Sequence, residues 1–225
     1  MESRSVALDG PSAAGKSTLA RRAAKHFGYI YVDTGAMYRC VGLYALWNKV
    51  GSVDKEGVLS LLPEIRLDMS YDEEGVQRMF LSGQDVTDDI RAPEISTYAS
   101  DVSAMPPVRA FLLSAQREMA VKHNVIMDGR DIGTVVLPNA GLKVFITAEP
   151  GARAMRRYLE LLERNVDVTL QQVEREMIVR DKNDSERAAA PLKAAEDAVM
   201  LDTTSLDLEQ SFDTLCRLIA GRFGI

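Results

Sequence analysis

Short apolar runs alternate with longer amphipathic stretches along most of this chain. The first run is followed by a glycine-rich stretch and then by Leu19, Ala23 and Phe27 at helical spacing, which indicates a strand, a loop and a helix. Four more apolar runs of strand length are bounded by turn or polar residues. The pattern predicts an α/β fold, with a five-stranded parallel sheet covered by helices on both faces. The predicted strands are residues 6–8, 29–32, 125–127, 142–146 and 198–201.

One segment interrupts this alternation. In residues 65–81, two extended runs flank residues 72–75, which have the composition of a turn. We therefore predict a β-hairpin inserted into the α/β domain. After it, apolar residues at helical spacing predict one helix near residues 95–102 and another near residues 108–119, separated by a pair of prolines.

Composition narrows the class of protein. The chain has 225 residues, of which 46% are hydrophobic and 27% charged, so we expect a globular domain rather than a disordered chain. Its net charge of −6 has the wrong sign for long-range attraction to nucleic-acid phosphates. Cys40 and Cys216 lack the spacing of a zinc or redox site and are interpreted as buried thiols. Since the sequence shows neither a bilayer-spanning apolar run nor a signal-peptide pattern, we expect a cytoplasmic protein that binds neither nucleic acid nor membranes.

The segment from Gly10 to Ser17 reads Gly-Pro-Ser-Ala-Ala-Gly-Lys-Ser, which fits the phosphate-loop (P-loop) pattern G-x-x-x-x-G-K-[ST]. It lies between a predicted strand and a predicted helix, as this loop requires. Backbone N–H groups and the helix N-terminus are expected to surround phosphate oxygens, with Lys16 at the β- and γ-phosphates and Ser17 on Mg²⁺. We expect the Lys16 side chain to be exposed when no ligand is bound. The motif leaves the reaction open, because GTPases, motor ATPases and small-molecule kinases share it.

Polar side chains follow two further predicted strands. Asp128 comes directly after residues 125–127, at the carboxyl edge of the sheet, where open α/β proteins bind ligands. We expect it in the Mg²⁺ shell, with a helix-capping aspartate as the alternative. Thr34 and Arg39 follow the second strand to the same edge, where a hydroxyl and a guanidinium can hold the phosphate of a second substrate. A surface loop leading into a helix is the alternative for that segment.

Arginines are dense between residues 153 and 187 of this acidic chain. A solvated helix face crossed by ion pairs is the plain interpretation of such a run. Within it, residues 180–187 are polar throughout and lack an apolar stripe, so we do not expect them to pack in a core. Their composition is typical of a mobile lid that closes arginines over transferring phosphates, and a solvated loop is the alternative.

Six motifs occur along the chain in this order: GPSAAGKST, DTGAMYR, LSGQDVTDDIR, DGRDIGT, RDKNDSERAAAPLKAAEDA and VMLDTTSL. Together they resemble the motifs of the bacterial cytidylate kinases, and the resemblance covers essentially the whole chain. It implies phosphoryl transfer from ATP to CMP or dCMP, with Mg²⁺, by one P-loop kinase domain. The implied parts are a core of about residues 1–32, 101–154 and 188–225, a nucleoside-monophosphate-binding (NMP-binding) insertion of about residues 33–100, and a short lid of about residues 155–187.

The resemblance also implies roles for specific positions. Arg153 and Arg157 have the spacing of two arginines that face ATP on the helix leading into the lid. Thr34 stands where many relatives have serine, and the exchange keeps the hydroxyl. The implied catalytic residues are Lys16, Arg157 and Arg180, and the implied metal shell is Ser17 and Asp128. The implied ATP site consists of Gly10, Pro11, Ser12, Ala13, Ala14, Gly15, Lys16, Ser17, Thr18 and Arg153. The implied acceptor site consists of Thr34, Tyr38, Arg39, Ser100, Arg109, Arg130, Asp131, Arg180, Asp184 and Arg187.

The residue chemistry at these positions agrees with a cytosine base. Cytosine offers an N4 amino donor beside N3 and O2 acceptors, so a site that recognises it needs a carboxylate next to arginine or hydroxyl donors. Asp131 supplies the carboxylate. Ser100, Arg109 and Arg187 supply the donors. Uracil reverses the pattern at two positions, and an unpaired buried polar group costs about 1–3 kcal/mol, so we expect selectivity for cytosine.

The nearest alternative is a P-loop kinase that acts on another nucleoside monophosphate or on a small metabolite. A GTP-dependent switch is disfavoured because no N-K-x-D motif occurs, and the segment Asn48-Lys49-Val50-Gly51 lacks its aspartate. A nucleic-acid-binding ATPase is disfavoured by the acidic balance. We expect a monomer whose partners are ATP and CMP or dCMP.

Overall fold

The computed structural model describes residues 3–73 and 75–225. Within these ranges the strands are β1 (Ser5–Asp9), β2 (Ile30–Asp33), β3 (Leu67–Tyr71), β4 (Gln77–Leu81), β5 (Gln84–Asp85), β6 (Val125–Gly129), β7 (Leu142–Thr147) and β8 (Val199–Asp202). The α-helices are α1 (Lys16–Phe27), α2 (Thr34–Trp47), α3 (Lys55–Leu61), α4 (Pro93–Ser103), α5 (Pro106–Lys122), α6 (Pro150–Glu163), α7 (Leu170–Glu186) and α8 (Leu208–Phe223). Short helical turns lie at Leu62–Glu64, Asp89–Arg91 and Ile132–Val136.

A five-stranded parallel sheet forms the core, in the order β2-β6-β1-β7-β8. All five predicted apolar runs are confirmed as its strands, and the bounds differ by at most two residues. Helices cover both faces, because Val6 and Leu8 of β1 pack with α1 and α8 whereas Ala7 packs with α5. The parallel arrangement brings the segments that follow β1, β2 and β6 to one edge of the sheet.

The insertion has its own three-stranded antiparallel sheet, in the order β3-β4-β5. The predicted hairpin is confirmed as β3 and β4, and the short β5, which the pattern did not predict, pairs with β4. Glu74 of the predicted turn lies outside the described residues. Met79 of β4 packs in a separate apolar cluster with α2 and α4. Gln77 connects the insertion to the central sheet, because its Oε1 accepts a hydrogen bond from the Asp33 amide at 2.8 Å.

The helices α4 and α5 confirm the two helices predicted after the hairpin. Pro106 and Pro107 occupy the first turn of α5, where a missing N–H is tolerated.

Residues 180–187 are not a loop, and that alternative is wrong. Residues 180–186 form the last two turns of α7, and Arg187 is its C-cap. A capping box begins the helix at Thr169, and Val173 and Met177 pack against α6. The apolar residues that hold the helix therefore lie N-terminal to the polar stretch, where its composition does not reveal them.

The helix α2 ends at Trp47, whose surface is 43% exposed. Trp47 lines a shallow second cavity together with Arg164 and Val166 of the connection between α6 and α7. The insertion and the α6–α7 pair therefore face each other across this groove. No helix within the described ranges has both the length and the apolar character of a membrane span.

Candidate active site

The loop from Gly10 to Ser17 joins β1 to α1 through backbone conformations that favour glycine. Gly10 has a φ of 146°, and a Cβ built on it would lie 1.9 Å from the carbonyl oxygen of Ile146. Gly15, with a φ of 89°, is the N-cap of α1 and contributes no side-chain cap. The first amides of α1 and the positive end of its dipole are therefore placed to bind an anion.

Gly10→Ala is expected to lower the free energy of unfolding by roughly 3 kcal/mol, because the new Cβ would overlap backbone atoms and alanine rarely adopts this φ. Chemical denaturation measures the loss. Gly51→Ala is the matched control, since no atom of the described residues lies within 4 Å of a Cβ built there. Equal stability of the two variants would contradict this account of the loop.

Lys16 is buried, with 5% of its surface exposed, so the expectation of an exposed side chain is wrong. Its Nζ donates a hydrogen bond to the Pro11 carbonyl oxygen at 2.6 Å. Burial, followed by the nearby charge of Arg130, lowers the pKa of Lys16 to about 7. The loop therefore holds a poorly solvated ammonium group whose charge a bound polyphosphate would compensate.

Ser17 and Asp128 lie in contact, as the metal-shell prediction requires. Ser17 Oγ donates to Asp128 Oδ2 at 2.7 Å, and the Tyr31 hydroxyl donates to Oδ1 at 3.1 Å. Burial and then the charge of Asp33 raise the pKa of Asp128 to about 6. Asp128 belongs to β6, so the alternative of a helix-capping aspartate is wrong.

This pair of oxygen groups fits Mg²⁺. No group of three or more His, Cys, Asp or Glu that could hold a metal occurs in residues 3–73 and 75–225. The described residues therefore offer one hydroxyl and one carboxylate rather than a complete cage. Mg²⁺ is commonly bound in this way, with its remaining oxygen ligands taken from phosphates and water.

Thr34 and Arg39 lie on α2, the helix that follows β2. Thr34 Oγ1 donates to the Asp128 carbonyl oxygen at 2.8 Å. Asp33 caps α2 by accepting from the Ala36 amide at 2.9 Å, and it pairs with Arg39 at 2.8 Å. Burial alone would raise the pKa of Asp33, but Arg39 and the Ala36 amide outweigh it and hold the pKa below its usual value. Arg39 Nε is buried without a partner among the described residues.

Asp131 lies two residues after the end of β6 and forms a buried cluster with two arginines. It pairs with Arg109 of α5, and Arg187 Nη2 lies 3.4 Å from its Oδ1. Ser103 joins the arginines, because its carbonyl oxygen accepts from Arg109 and its hydroxyl lies within hydrogen-bond distance of Arg187, each at 3.2 Å. Sequence reasoning missed Ser103, which lies outside the six motifs.

Tyr38 and Ser100 border the same cluster. The Arg109 guanidinium carbon lies 5.6 Å from the centre of the Tyr38 ring, and the Ser100 carbonyl oxygen accepts from the Ser103 hydroxyl at 2.8 Å. The structure thus brings together the carboxylate and the donors that the sequence assigned to base recognition.

Arg130, Arg180 and Asp184 form a second charged group beside the P-loop. Arg130 Nε donates to Asp184 Oδ2 at 2.8 Å. Burial alone would raise the pKa of Asp184, but Arg130 holds it below its usual value. Burial and then the charge of Arg130 lower the pKa of Arg180 to about 10. In the described structure Arg180 Nε is buried without a hydrogen-bond partner, so this guanidinium is suited to an anionic ligand.

Arg153 differs from the expectation that it faces ATP. It is buried, and its Nε and Nη1 donate to the carbonyl oxygens of Ala148 and Ser12, at 2.9 and 3.1 Å. Its Nη2 donates to Asp181 of α7 at 2.7 Å. Arg153 of α6 therefore connects the P-loop, through Ser12, to α7, through Asp181.

Arg156 and Arg157 of α6 line the cavity instead. Arg157 pairs with Glu160 at 2.9 Å. Arg156 donates to the hydroxyl and carbonyl oxygens of Thr203, at 3.1 and 2.7 Å. Sequence reasoning missed Arg156 as a site residue, although the density of arginines on this helix was a signal that pointed to it.

A single cavity of about 700 Å³ contains these groups. The Asp131 cluster, the P-loop and residues of the segment 203–211 all line it. Of the predicted site residues, Gly10, Pro11 and Arg153 do not line it. The others do: Ser12, Ala13, Ala14, Gly15, Lys16, Ser17, Thr18, Thr34, Tyr38, Arg39, Ser100, Arg109, Asp128, Arg130, Asp131, Arg157, Arg180, Asp184 and Arg187. These donor-site and acceptor-site residues therefore line one common cavity.

Comparison with known proteins shows which family the sequence matches. Residues 6–221 match the sequence model of the cytidylate kinase family. A cytidylate kinase of Caldicellulosiruptor bescii is 47% identical over 218 residues, which cover 97% of this chain and 96% of the relative. A cytidylate kinase of Lactobacillus johnsonii is 46% identical over 214 residues, which cover 95% of this chain and 93% of the relative.

The fold of this chain is similar to that of a solved structure. An uncharacterized protein from Eubacterium ventriosum superposes with a TM-score of 0.53 over 96% of this chain and 98% of its own, at 13% identity. At that identity the likeness concerns the fold alone.

Proposed function

The chain belongs to the cytidylate kinase family, and on that basis we propose that it transfers the γ-phosphoryl group of ATP to CMP and dCMP. The observation that supports this most directly is the layout of the cavity. The cavity is lined by the P-loop, by a carboxylate flanked by arginines, and by Arg39 and Arg180, whose Nε atoms have no hydrogen-bond partner among the described residues. The products are ADP and CDP or dCDP.

The P-loop binds the donor. The amides at the start of α1 and the Lys16 ammonium hold the β- and γ-phosphates, and the nucleoside of ATP extends toward residues 203–211 beside Arg156 and Arg157. Ser17 and Asp128 would hold Mg²⁺, which when bound neutralises charge on the β- and γ-phosphates.

Thr34, Arg39 and Arg180 position the phosphate of the acceptor. An oxygen of that phosphate attacks the γ-phosphorus as the bond from this phosphorus to the β–γ bridging oxygen breaks, and the electrons of that bond remain on ADP. Lys16, Arg157 and Arg180 stabilise the charge that spreads over the transferring group. The chain therefore accelerates the reaction in two ways. It aligns the acceptor oxygen with the γ-phosphorus, and it holds cationic side chains around that phosphorus.

Asp131 recognises the base. Its carboxylate accepts from the cytosine N4 amino group, while Ser100, Arg109 and Arg187 provide donors for N3 and O2. Uracil would place an acceptor, O4, against the carboxylate. The buried Asp131 would then lose a partner, which favours CMP over UMP.

We further propose that residues 33–100 bind the nucleoside monophosphate and that the α6–α7 segment of about residues 155–187 acts as the lid. The enzyme acts as a monomer in the cytoplasm, with no nucleic-acid or membrane partner.

A substrate panel tests the function. ADP release is measured with CMP, dCMP, UMP, AMP and GMP at fixed ATP and Mg²⁺. We expect kcat/KM for CMP to exceed that for UMP by about 5- to 100-fold, which corresponds to the loss of one buried hydrogen-bond partner. A preference for AMP, GMP or UMP would contradict the assignment of Asp131 to cytosine.

A further inference from the structure

Asp9 is the last residue of β1 and immediately precedes Gly10 of the P-loop. Only 3% of its surface is exposed, and it does not line the cavity. Its carboxylate reaches the turn that follows β6, where Oδ1 accepts from the Ile132 amide at 2.6 Å and Oδ2 accepts from the Gly133 amide at 2.7 Å. Asp9 thus holds the two peptide groups directly after Asp131.

The same turn is held at its other end by Arg117 of α5. Arg117 Nε donates to the Val136 carbonyl oxygen at 3.0 Å, and Nη2 donates to the Val135 carbonyl oxygen at 2.9 Å. Between these contacts, the Leu137 amide donates a hydrogen bond to the Ile132 carbonyl oxygen at 2.7 Å. This i→i+5 hydrogen bond is the one that defines a π-helical turn. Turns of this kind are rare and frequently occur at functional sites, and side chains hold both ends of this one.

The surroundings of Asp9 are unfavourable for a carboxylate. Burial raises the pKa of Asp9 to about 6, and the hydrogen bonds from the Gly133 and Ile132 amides offset only part of this rise. The close approach also requires a glycine, because a Cβ on Gly133 would lie 3.2 Å from Asp9 Oδ2 and 3.1 Å from Lys143 Cδ. A buried carboxylate that accepts from two consecutive amides fixes the backbone of this turn more firmly than an apolar side chain at the strand end could.

We propose that Asp9 is a positioning residue for the acceptor nucleoside, because its two hydrogen bonds fix the peptide after Asp131 and thereby aim the Asp131 carboxylate at the base. The role rests on the proposed function, in which Asp131 recognises cytosine. Since Asp9 also precedes Gly10, one side chain links the backbone of the P-loop to that of the acceptor site.

Asp9→Asn tests the role with little change in shape. The amide can accept one of the two backbone hydrogen bonds, but its NH₂ group then faces the other N–H. We expect the KM for CMP and the dissociation constant of CMP, measured by calorimetry without ATP, to rise at least tenfold. The KM for ATP should change less than threefold, and the preference for CMP over UMP should fall.

Two further variants serve as control and second test. Asp54→Asn alters an exposed carboxylate that accepts from the Gly57 amide at 3.0 Å and does not line the cavity, so it should leave all of these values unchanged. Arg117→Gln loosens the other end of the turn from an exposed position and should raise the KM for CMP in the same direction by a smaller factor.

The outcomes distinguish a wrong role for Asp9 from a wrong proposed function. A folded Asp9→Asn variant that binds CMP as the wild type does, or one whose KM for ATP rises as much as that for CMP, overturns the role of Asp9. If Asp9→Asn does not fold, an unchanged KM for CMP in Arg117→Gln overturns it. A wild-type protein without CMP activity contradicts the proposed function instead, and the same comparison with the acceptor that the panel identifies then decides the role of Asp9.

Discussion

Lys16→Met is expected to lower kcat for phosphoryl transfer by about 100- to 1,000-fold or more while the protein remains folded. The Lys16 ammonium is buried inside the P-loop, where its charge acts on the β- and γ-phosphates with little screening by water. Methionine has a similar length and no charge. Because the free protein then no longer buries a poorly solvated ammonium, the unfolding midpoint should stay within a few degrees of that of the wild type. A coupled assay of ADP release and thermal unfolding measure the two effects.

Lys25→Met is the matched control for this variant. Lys25 lies in the last turn of the same helix, α1, and is exposed. Its replacement removes the same charge from the same helix and should leave kcat unchanged. If Lys16→Met kept activity within a factor of a few, the P-loop would not be the site of the transferring phosphates.

Asp131→Asn should produce the second-largest effect, a rise of about 100-fold in the KM for CMP. The substitution leaves Arg109 and Arg187 in a buried cluster without their shared carboxylate, and breaking a buried ion pair in this way costs roughly 3 kcal/mol of stability. The KM for ATP should change less than threefold, because Asp131 pairs with Arg109 and Arg187 of the proposed acceptor site and not with a residue of the proposed ATP site. Initial rates with each substrate varied in turn, together with urea denaturation, provide the measurements.

Asp85→Asn controls for the loss of an ion pair as such. Asp85 pairs with Arg78 at 2.9 Å on the surface of the insertion, where both side chains are exposed. Surface pairs contribute little to stability, so this variant should match the wild type in both measurements. An effect of Asp131→Asn confined to ATP would place Asp131 beside the donor instead of the acceptor.

The sheet and the main site positions could be predicted from the sequence because both depend on local patterns. A parallel strand buried on both faces is a continuous apolar run, and its carboxyl end lies at the ligand-binding edge by topology alone. The positions of Asp128 and Thr34 could therefore be predicted from the carboxyl ends of β6 and β2. Asp131 and Arg109 required the family resemblance, since only the packing of α5 against the turn after β6 brings them together.

Other features depend on tertiary packing that no local pattern contains. Arg153 and Arg156 differ by three positions on α6, and the rotation of that helix against α7 decides which guanidinium faces the cavity. The polar residues 180–186 are helical because Val173 and Met177, in the N-terminal part of the same helix, pack it against α6. Lys16 is buried because the P-loop folds over it, and a motif specifies which residues are present but not how far water is excluded from them.

Trp47 has an experimental use of its own. It is the single tryptophan of the chain, and it lies at the groove where the insertion faces Arg164 and Val166. Indole fluorescence excited at long wavelength therefore comes from this one place. If the α6–α7 pair moves toward the insertion when nucleotides bind, water leaves the indole and its emission shifts to shorter wavelengths. The natural chain thus provides a label-free optical signal for domain closure, and no group in the catalytic cavity needs to be altered to obtain it.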